Sequence, residues 1–261
     1  MASPPTMSEI DRAARLLSAA ERIVVLTGAG VSAESGVPTF RDAGGLWEGY
    51  SIEAVATPEG FASDPRLVWQ FYNARRANLQ SVRPNPGHHA LAALEAQRPE
   101  GGVTIITQNV DGLHQAAGSR RVLEIHGSIR ETRCTGCGEV SDRGLDPLPD
   151  LPPCDSCGAL LRPNVVWFNE CLPVGIWRLA EWAIERCDLL LVVGTSGTVY
   201  PAAGLIAAVR ALSRPVIECN LNVSSASSLA DVRLIGPSGE LLPSLVRLLE
   251  TTTHDGTPLG R

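Results

Sequence analysis

The chain has 261 residues, 44% of them hydrophobic and 19% charged, with a formal charge of −6; that is enough apolar material for one large domain or two modules sharing a core, and it excludes a disordered or fibrous chain. The acidic balance argues against a surface built to hold phosphate backbones, so no nucleic-acid partner is expected. No apolar run approaches the ~20 residues of a membrane span, residues 1–10 lack the basic and apolar parts of an export signal, and a cytoplasmic protein without a membrane partner is expected.

In chain order, a helix begins at Ile10, and Ile23 to Leu26 reads as the first strand. A helix is expected over Leu67 to Leu79 and another over Gly87 to Gln97, followed by strands at Val103 to Ile106 and Val122 to Ile125. Trp177 to Arg186 and Ala202 to Leu212 read as helices among the strands Leu189 to Val193, Val216 to Cys219 and Val232 to Ile235. Unbroken apolar strands alternating with helices imply a parallel sheet covered on both faces, a doubly wound α/β core of the Rossmann-like kind. That core takes up about 8–35, 83–127 and 164–250. Two insertions, about 36–82 and 128–163, break the alternation and are expected to pack together as a smaller lobe, while 251–261 reads as a loose tail.

The cysteines give the smaller lobe its chemistry. Cys134-x-x-Cys137 and Cys154-x-x-Cys157, sixteen residues apart, have the spacing of a four-thiolate zinc site, in which no position remains for an activated water, so the metal is structural. Cys171, Cys187 and Cys219 read as packing residues. All 22 basic residues are arginine, so the chain has no lysine side chain of its own to be modified.

Ligands of open α/β sheets bind beyond the carboxyl ends of the strands, and six of those ends carry polar clusters here. Gly28-Ala29-Gly30 follows the first strand, with Ala33 completing a weak dinucleotide fingerprint in which backbone amides approach a pyrophosphate. The next segment, Ser35 to Asp42, cannot form the helix an ordinary dehydrogenase needs, so a dinucleotide is expected without hydride transfer. Gln108-Asn109-Val110-Asp111, His126-Gly127, Gly194-Thr195-Ser196, Asn220-Leu221-Asn222 and Gly236-Pro237-Ser238 close the other five. His126 places an imidazole where its ordinary pKa suits proton transfer; His88 and His89 read as helix-starting residues after Pro86.

The run Gly28 to Arg41, Gln108-Asn-Val-Asp111, Leu123-Glu-Ile-His-Gly127, the two cysteine pairs, Val165-Val-Trp-Phe168 and Gly194-Thr-Ser196 resemble the sirtuin family of NAD-dependent protein-lysine deacylases. The resemblance runs in order from Arg22 to Leu248 and implies one catalytic domain over 8–250. It implies that Gly28, Ala29 and Gly30 hold the pyrophosphate of NAD, that Phe40 and Arg41 close over the nicotinamide ribose, and that Gln108 and Asn109 contact ribose. Asp111 would contact the nicotinamide carboxamide; Gly194, Thr195, Ser196, Asn220, Leu221, Asn222 and Ser238 would line the adenosine half. His126 would be the general base, with Asn109 and Asp111 beside it as catalytic residues, and the products would be free lysine, nicotinamide and O-acyl-ADP-ribose.

An acylated lysine on a protein substrate would enter between the Val165 to Glu170 segment, with Val166, Trp167 and Phe168 as its contacts, and the Val199 to Tyr200 loop, its peptide adding as a strand between the lobes. Asn169 stands where the family often has glycine, a departure bearing on peptide docking. Tyr72-x-x-Arg75 shares one helix face, so a phenol and a guanidinium can converge on one carboxylate. With Ala56 as a small residue widening the acyl pocket, this pair resembles the sirtuin subgroup preferring malonyl-, succinyl- and glutaryl-lysine. A sirtuin-type deacetylase without that preference, a mono-ADP-ribosyltransferase and a non-enzymatic zinc-ribbon module are the alternatives.

Overall fold

The computed structural model describes residues 8–39, 46–47 and 49–254. Helix α1 (Glu9–Ala19), capped by the Ser8 hydroxyl on the Asp11 amide, leads into β1 (Ile23–Thr27) and a 3-10 turn at Ala29–Ser35. A short antiparallel pair, β2 (Leu46–Trp47) and β3 (Tyr50–Ser51), precedes α2 (Ile52–Val55), α3 (Pro58–Ser63) and α4 (Pro65–Ser81). Then come α5 (Pro86–Ala96), β4 (Val103–Thr107), α6 (Leu113–Ala116) and β5 (Val122–Glu124). The strands β6 (Gly127–Cys134), β7 (Val140–Asp142) and β8 (Leu161–Val165) follow. The chain ends with α7 (Val174–Arg186), β9 (Leu189–Val193), α8 (Gly204–Ala211), β10 (Val216–Asn220), β11 (Val232–Ile235) and α9 (Ser238–His254).

Six strands form one parallel sheet in the order β11-β10-β9-β1-β4-β5, and they are the six that the apolar runs predict. Alternate side chains of the central strands serve opposite faces, as a period of two requires. Ile23, Val25, Ile105, Leu191 and Ile217 pack with α1, α5 and α9; Val24, Leu26, Ile106, Leu190 and Val216 pack with α7 and α8. Cys187 and Cys219 are buried in these two cores, as expected of packing residues, whereas Cys171 is exposed and belongs to neither. Helix α9 continues to His254, so residues 251–254 are helical rather than tail: after Pro243 no glycine or proline interrupts the helix before Gly256.

The two insertions meet in a third core. Val55, Phe61, Trp69 and Phe71 of the first pack against Ile129, Leu161 and Trp167 on or beside the antiparallel sheet β7-β6-β8. Arg76, 1% exposed, ties them together by donating to the Ile129 carbonyl at 2.6 Å and to the Arg143 and Asp146 carbonyls. The crossing between lobes falls immediately after His126, where Gly127 takes φ +77° and a Cβ would sit 2.1 Å from the Asn164 carbonyl oxygen. Only glycine fits that crossing.

Candidate active site

The glycine turn after β1 is pressed against the loop after β9: a Cβ on Gly28 would lie 2.9 Å from the Thr195 Cβ, and one on Gly30 would lie 2.7 Å from the Gly194 oxygen. The Gly28 and Gly30 amides already donate to Val193 and Gly194 carbonyls, so of the three expected pyrophosphate amides only that of Ala29 lacks a partner among the described residues. The fit to a phosphate is thus a close glycine approach with one open amide at the start of the 3-10 turn. Phe40 and Arg41 lie outside the described residues.

Behind this turn a buried polar chain converges on Ser32. The Ser32 hydroxyl donates to Asp111 Oδ2 at 2.8 Å, accepts the Asn109 amide N–H at 3.0 Å and lies 3.4 Å from His88 Nε2. The other Asp111 oxygen caps the Leu113 amide at 2.9 Å. Burial raises the Asp111 pKa above the usual carboxylate range, opposed by these hydrogen bonds and by the Arg75 charge. The His88 and His114 rings meet edge to face at 4.9 Å, and His114 Nε2 lies 3.0 Å from Thr27 Oγ1. Burial lowers their pKa values to about 4 and about 3, so both are neutral near pH 7. Sequence reasoning brought out Asn109 and Asp111 but not Ser32 or His114 as partners, although Ser32 lies inside the quoted glycine motif; His88 does start α5, as expected, by accepting the Asn85 amide.

His126 lies in the two-residue turn between β5 and β6 and faces Gln108 at the end of β4. Its Nδ1 lies 3.0 Å from the Gln108 carbonyl oxygen, which can only accept, so Nδ1 carries the proton and Nε2 presents its lone pair. Burial holds the imidazole pKa below its ordinary value, with the Gln108 carbonyl opposing. The geometry is that of a neutral, oriented base. The Gln108 side chain itself donates to Thr195 Oγ1 at 3.0 Å.

The residues expected around adenosine divide into two sets. Ser196, Leu221 and Asn222 face solvent. Asn220 and Ser238 are buried: Asn220 donates to the Thr195 carbonyl at 2.8 Å, and Ser238 donates to Glu34 at 3.0 Å. Both therefore shape the cleft wall. Beneath them Glu218, fully buried, accepts the Ser224 and Ser227 hydroxyls, an arrangement no local pattern in the sequence signals.

On the substrate side the Val166 amide donates to the His126 carbonyl at 2.9 Å, and the Phe168 amide to the Ala56 carbonyl at 3.0 Å. Phe168 is 45% exposed, but Trp167 is only 3% exposed, which removes it from the open wall of the cleft. Asn169 takes φ +68°, a left-handed conformation that asparagine tolerates better than most residues; the backbone course glycine would take is kept. Tyr72 and Ala56 are almost wholly buried, and half-buried Arg75 lines a cavity of about 250 Å³ with Gly36, Val37 and Pro38. A larger groove of about 640 Å³ opens at the amino ends of β1 and β4 and contains none of these groups.

The four cysteines of the small lobe bring their Sγ atoms within 4.8 Å of one another. That spacing fits a tetrahedron of sulfurs about 2.3 Å from a zinc ion.

A Sir2 family model matches residues 28–201. The chain is 54% identical to NAD-dependent protein deacylase 2 of Pyrobaculum aerophilum, over 89% of this chain and 93% of that one. It is 45% identical to the NAD-dependent protein deacylase sirtuin-5, mitochondrial, of Canis lupus familiaris, over 91% of this chain and 84% of that one. Its fold is similar to a crystal structure of a Sir2 homolog in complex with NAD, with TM-score 0.87, 42% identity, and 97% of each chain covered.

Proposed function

The chain belongs to the Sir2 family, and from that premise we propose that it is an NAD-dependent protein-lysine deacylase that removes succinyl, malonyl and glutaryl groups in preference to acetyl. Nicotinamide and O-acyl-ADP-ribose are the accompanying products. The observation that carries the reading is the His126 Nε2 lone pair at the same strand-end rim as Asn109 and Asp111, both fixed by Ser32.

NAD supplies an electrophilic ribose carbon with nicotinamide as leaving group, to be attacked by the weakly nucleophilic acyl oxygen. The chain contributes orientation and charge placement rather than a nucleophile of its own. Gly28, Ala29 and Gly30 approach the pyrophosphate, with Phe40 and Arg41 assigned to the nicotinamide ribose. Gln108 and Asn109 bound the ribose, and Asp111 addresses the carboxamide. Gly194, Thr195, Ser196, Leu221 and Asn222 line the adenosine half over Asn220 and Ser238. His126 takes a proton from a ribose hydroxyl. Val166 and Phe168 flank the incoming lysine, and Tyr72 with Arg75 receives the distal carboxylate of an acidic acyl group, beside the small side chain of Ala56.

Zinc on Cys134, Cys137, Cys154 and Cys157 closes the small lobe without touching the reaction. The catalytic domain spans 8–250, acting on acylated proteins in the cytoplasm; no described helix is long and apolar enough to cross a membrane. The test is nicotinamide release with and without an acylated peptide. Release that requires the peptide, with one O-acyl-ADP-ribose per lysine freed, supports the reading; peptide-independent release with ADP-ribose transferred to protein refutes it in favour of a mono-ADP-ribosyltransferase.

A further inference from the structure

The indole of Trp167 is locked from several sides. The Arg162 guanidinium stacks on its ring at 3.5 Å, and the Phe61 ring centroid lies 5.3 Å away. Glu170 accepts both Arg162 nitrogens, at 2.6 and 2.8 Å, and also the Trp167 backbone amide at 2.9 Å. This bidentate pair fixes the ring plane as well as the charge. The indole N–H then donates to Tyr72 Oη at 2.9 Å.

That bond has a consequence for the phenol. A tyrosine oxygen carries one proton and accepts through its lone pairs; with Trp167 as donor, the Tyr72 proton must point elsewhere, and no acceptor for it exists among the described residues. A buried donor left unspent is costly, so the arrangement is one that a ligand acceptor would complete. The phenol stays protonated, since burial pushes its pKa up to about 12 against the opposing Arg75 and Arg162 charges. Arg75 lies one helical turn from Tyr72 on α4, and its charge already acts on the Tyr72 phenol.

We infer that the Trp167 N–H, by occupying the acceptor side of Tyr72 Oη, holds the hydroxyl as a donor toward the distal carboxylate of an acidic acyl group, so that Trp167 is a positioning residue for acyl specificity and not a substrate contact. The inference rests on the acidic-acyl reading above.

The readout is the ratio of kcat/KM for succinyl- over acetyl-lysine in matched peptides, measured with the full chain, NAD and zinc. Trp167→Phe keeps an aromatic ring and deletes the N–H; the ratio falls about 3- to 10-fold, the usual worth of one such bond. Tyr72→Phe lowers the ratio further, and Trp167→Phe added to it changes nothing more. Should Trp167→Phe fold poorly, the benzothiophene analogue of tryptophan at position 167, with sulfur in place of N–H in the same ring outline, replaces it. An equal fall for both peptides, or effects of the two variants that multiply independently, overturns the inference. A wild type that favours acetyl-lysine overturns the acidic-acyl reading itself, whereas a wild-type succinyl preference kept intact in both position-167 variants overturns only the role of Trp167.

Discussion

Strands β1 and β8 are equally long and kept in place by different means. Every residue of β1 is buried between helices on both faces, so area removed from water, at about 25 cal/mol per Å², holds it without any specific partner. Strand β8 alternates buried and half-buried residues, and its surroundings are pinned by single contacts: Trp69 Nε1 on the Leu161 carbonyl, Arg162 on Trp167 and Glu170, Arg76 on three carbonyls across the sheet. The large lobe should therefore tolerate loss of any one contact, and the small lobe should not. The residues proposed for the catalytic rim belong to the first, and those proposed to select the acyl group belong to the second.

Removing zinc breaks that comparison most severely. Structural zinc contributes on the order of 10 kcal/mol to small metal-stabilised folds; Cys137→Ala, or exhaustive chelation, abolishes zinc binding and deacylation while circular dichroism still shows a cooperatively melting parallel-sheet core. A metal-free protein with full activity would show that the small lobe stands unaided. Next in size is Arg76→Leu, which leaves three carbonyls around a buried site without their donor and should cost at least about 3 kcal/mol in denaturant unfolding, the lower end of roughly 1–3 kcal/mol per abandoned group. A cost under about 1 kcal/mol would show that water replaces the guanidinium.

His126→Ala tests the large lobe's share. It should lower kcat/KM at least ~100-fold with NAD affinity and melting temperature kept, as for loss of a positioned base. The base works when deprotonated and burial lowers its pKa, so the acidic limb of the wild-type profile should fall below the ordinary histidine value of about 6.5. A limb above 7 would assign it to another group. Arg75→Met has a comparable or smaller effect confined to one substrate class: loss of a charge-assisted contact of about 1.5 to 3 kcal/mol lowers succinyl-lysine kcat/KM roughly 10- to 150-fold, and acetyl-lysine far less. Equal losses would make Arg75 a structural residue.

The same contrast explains what the sequence discloses. Runs such as Leu189 to Val193 announce a two-sided parallel strand because burial there is continuous, and the polar strand ends and cysteine spacings are local patterns. Arg76 follows Arg75 directly, and nothing local tells the buried clamp from its half-buried neighbour; its partners lie 53 to 70 positions away. His114, Ser32 and Thr27 become one chain only when β1 and β4 pair. Trp167 reads as a substrate contact from the family resemblance of its motif, whereas its ring is buried against Tyr72 and Arg162. Residues whose role depends on contacts between the insertions are the ones a linear reading misses.

The central claim, that a rigid NAD-handling rim is coupled to a small lobe that selects acidic acyl groups, is tested most directly by steady-state kinetics of the wild-type protein on matched succinyl- and acetyl-lysine peptides at saturating NAD. The account predicts a kcat/KM for succinyl-lysine at least about tenfold higher, the lower bound expected from one charge-assisted contact. Equal values, or a preference for acetyl-lysine, would contradict it.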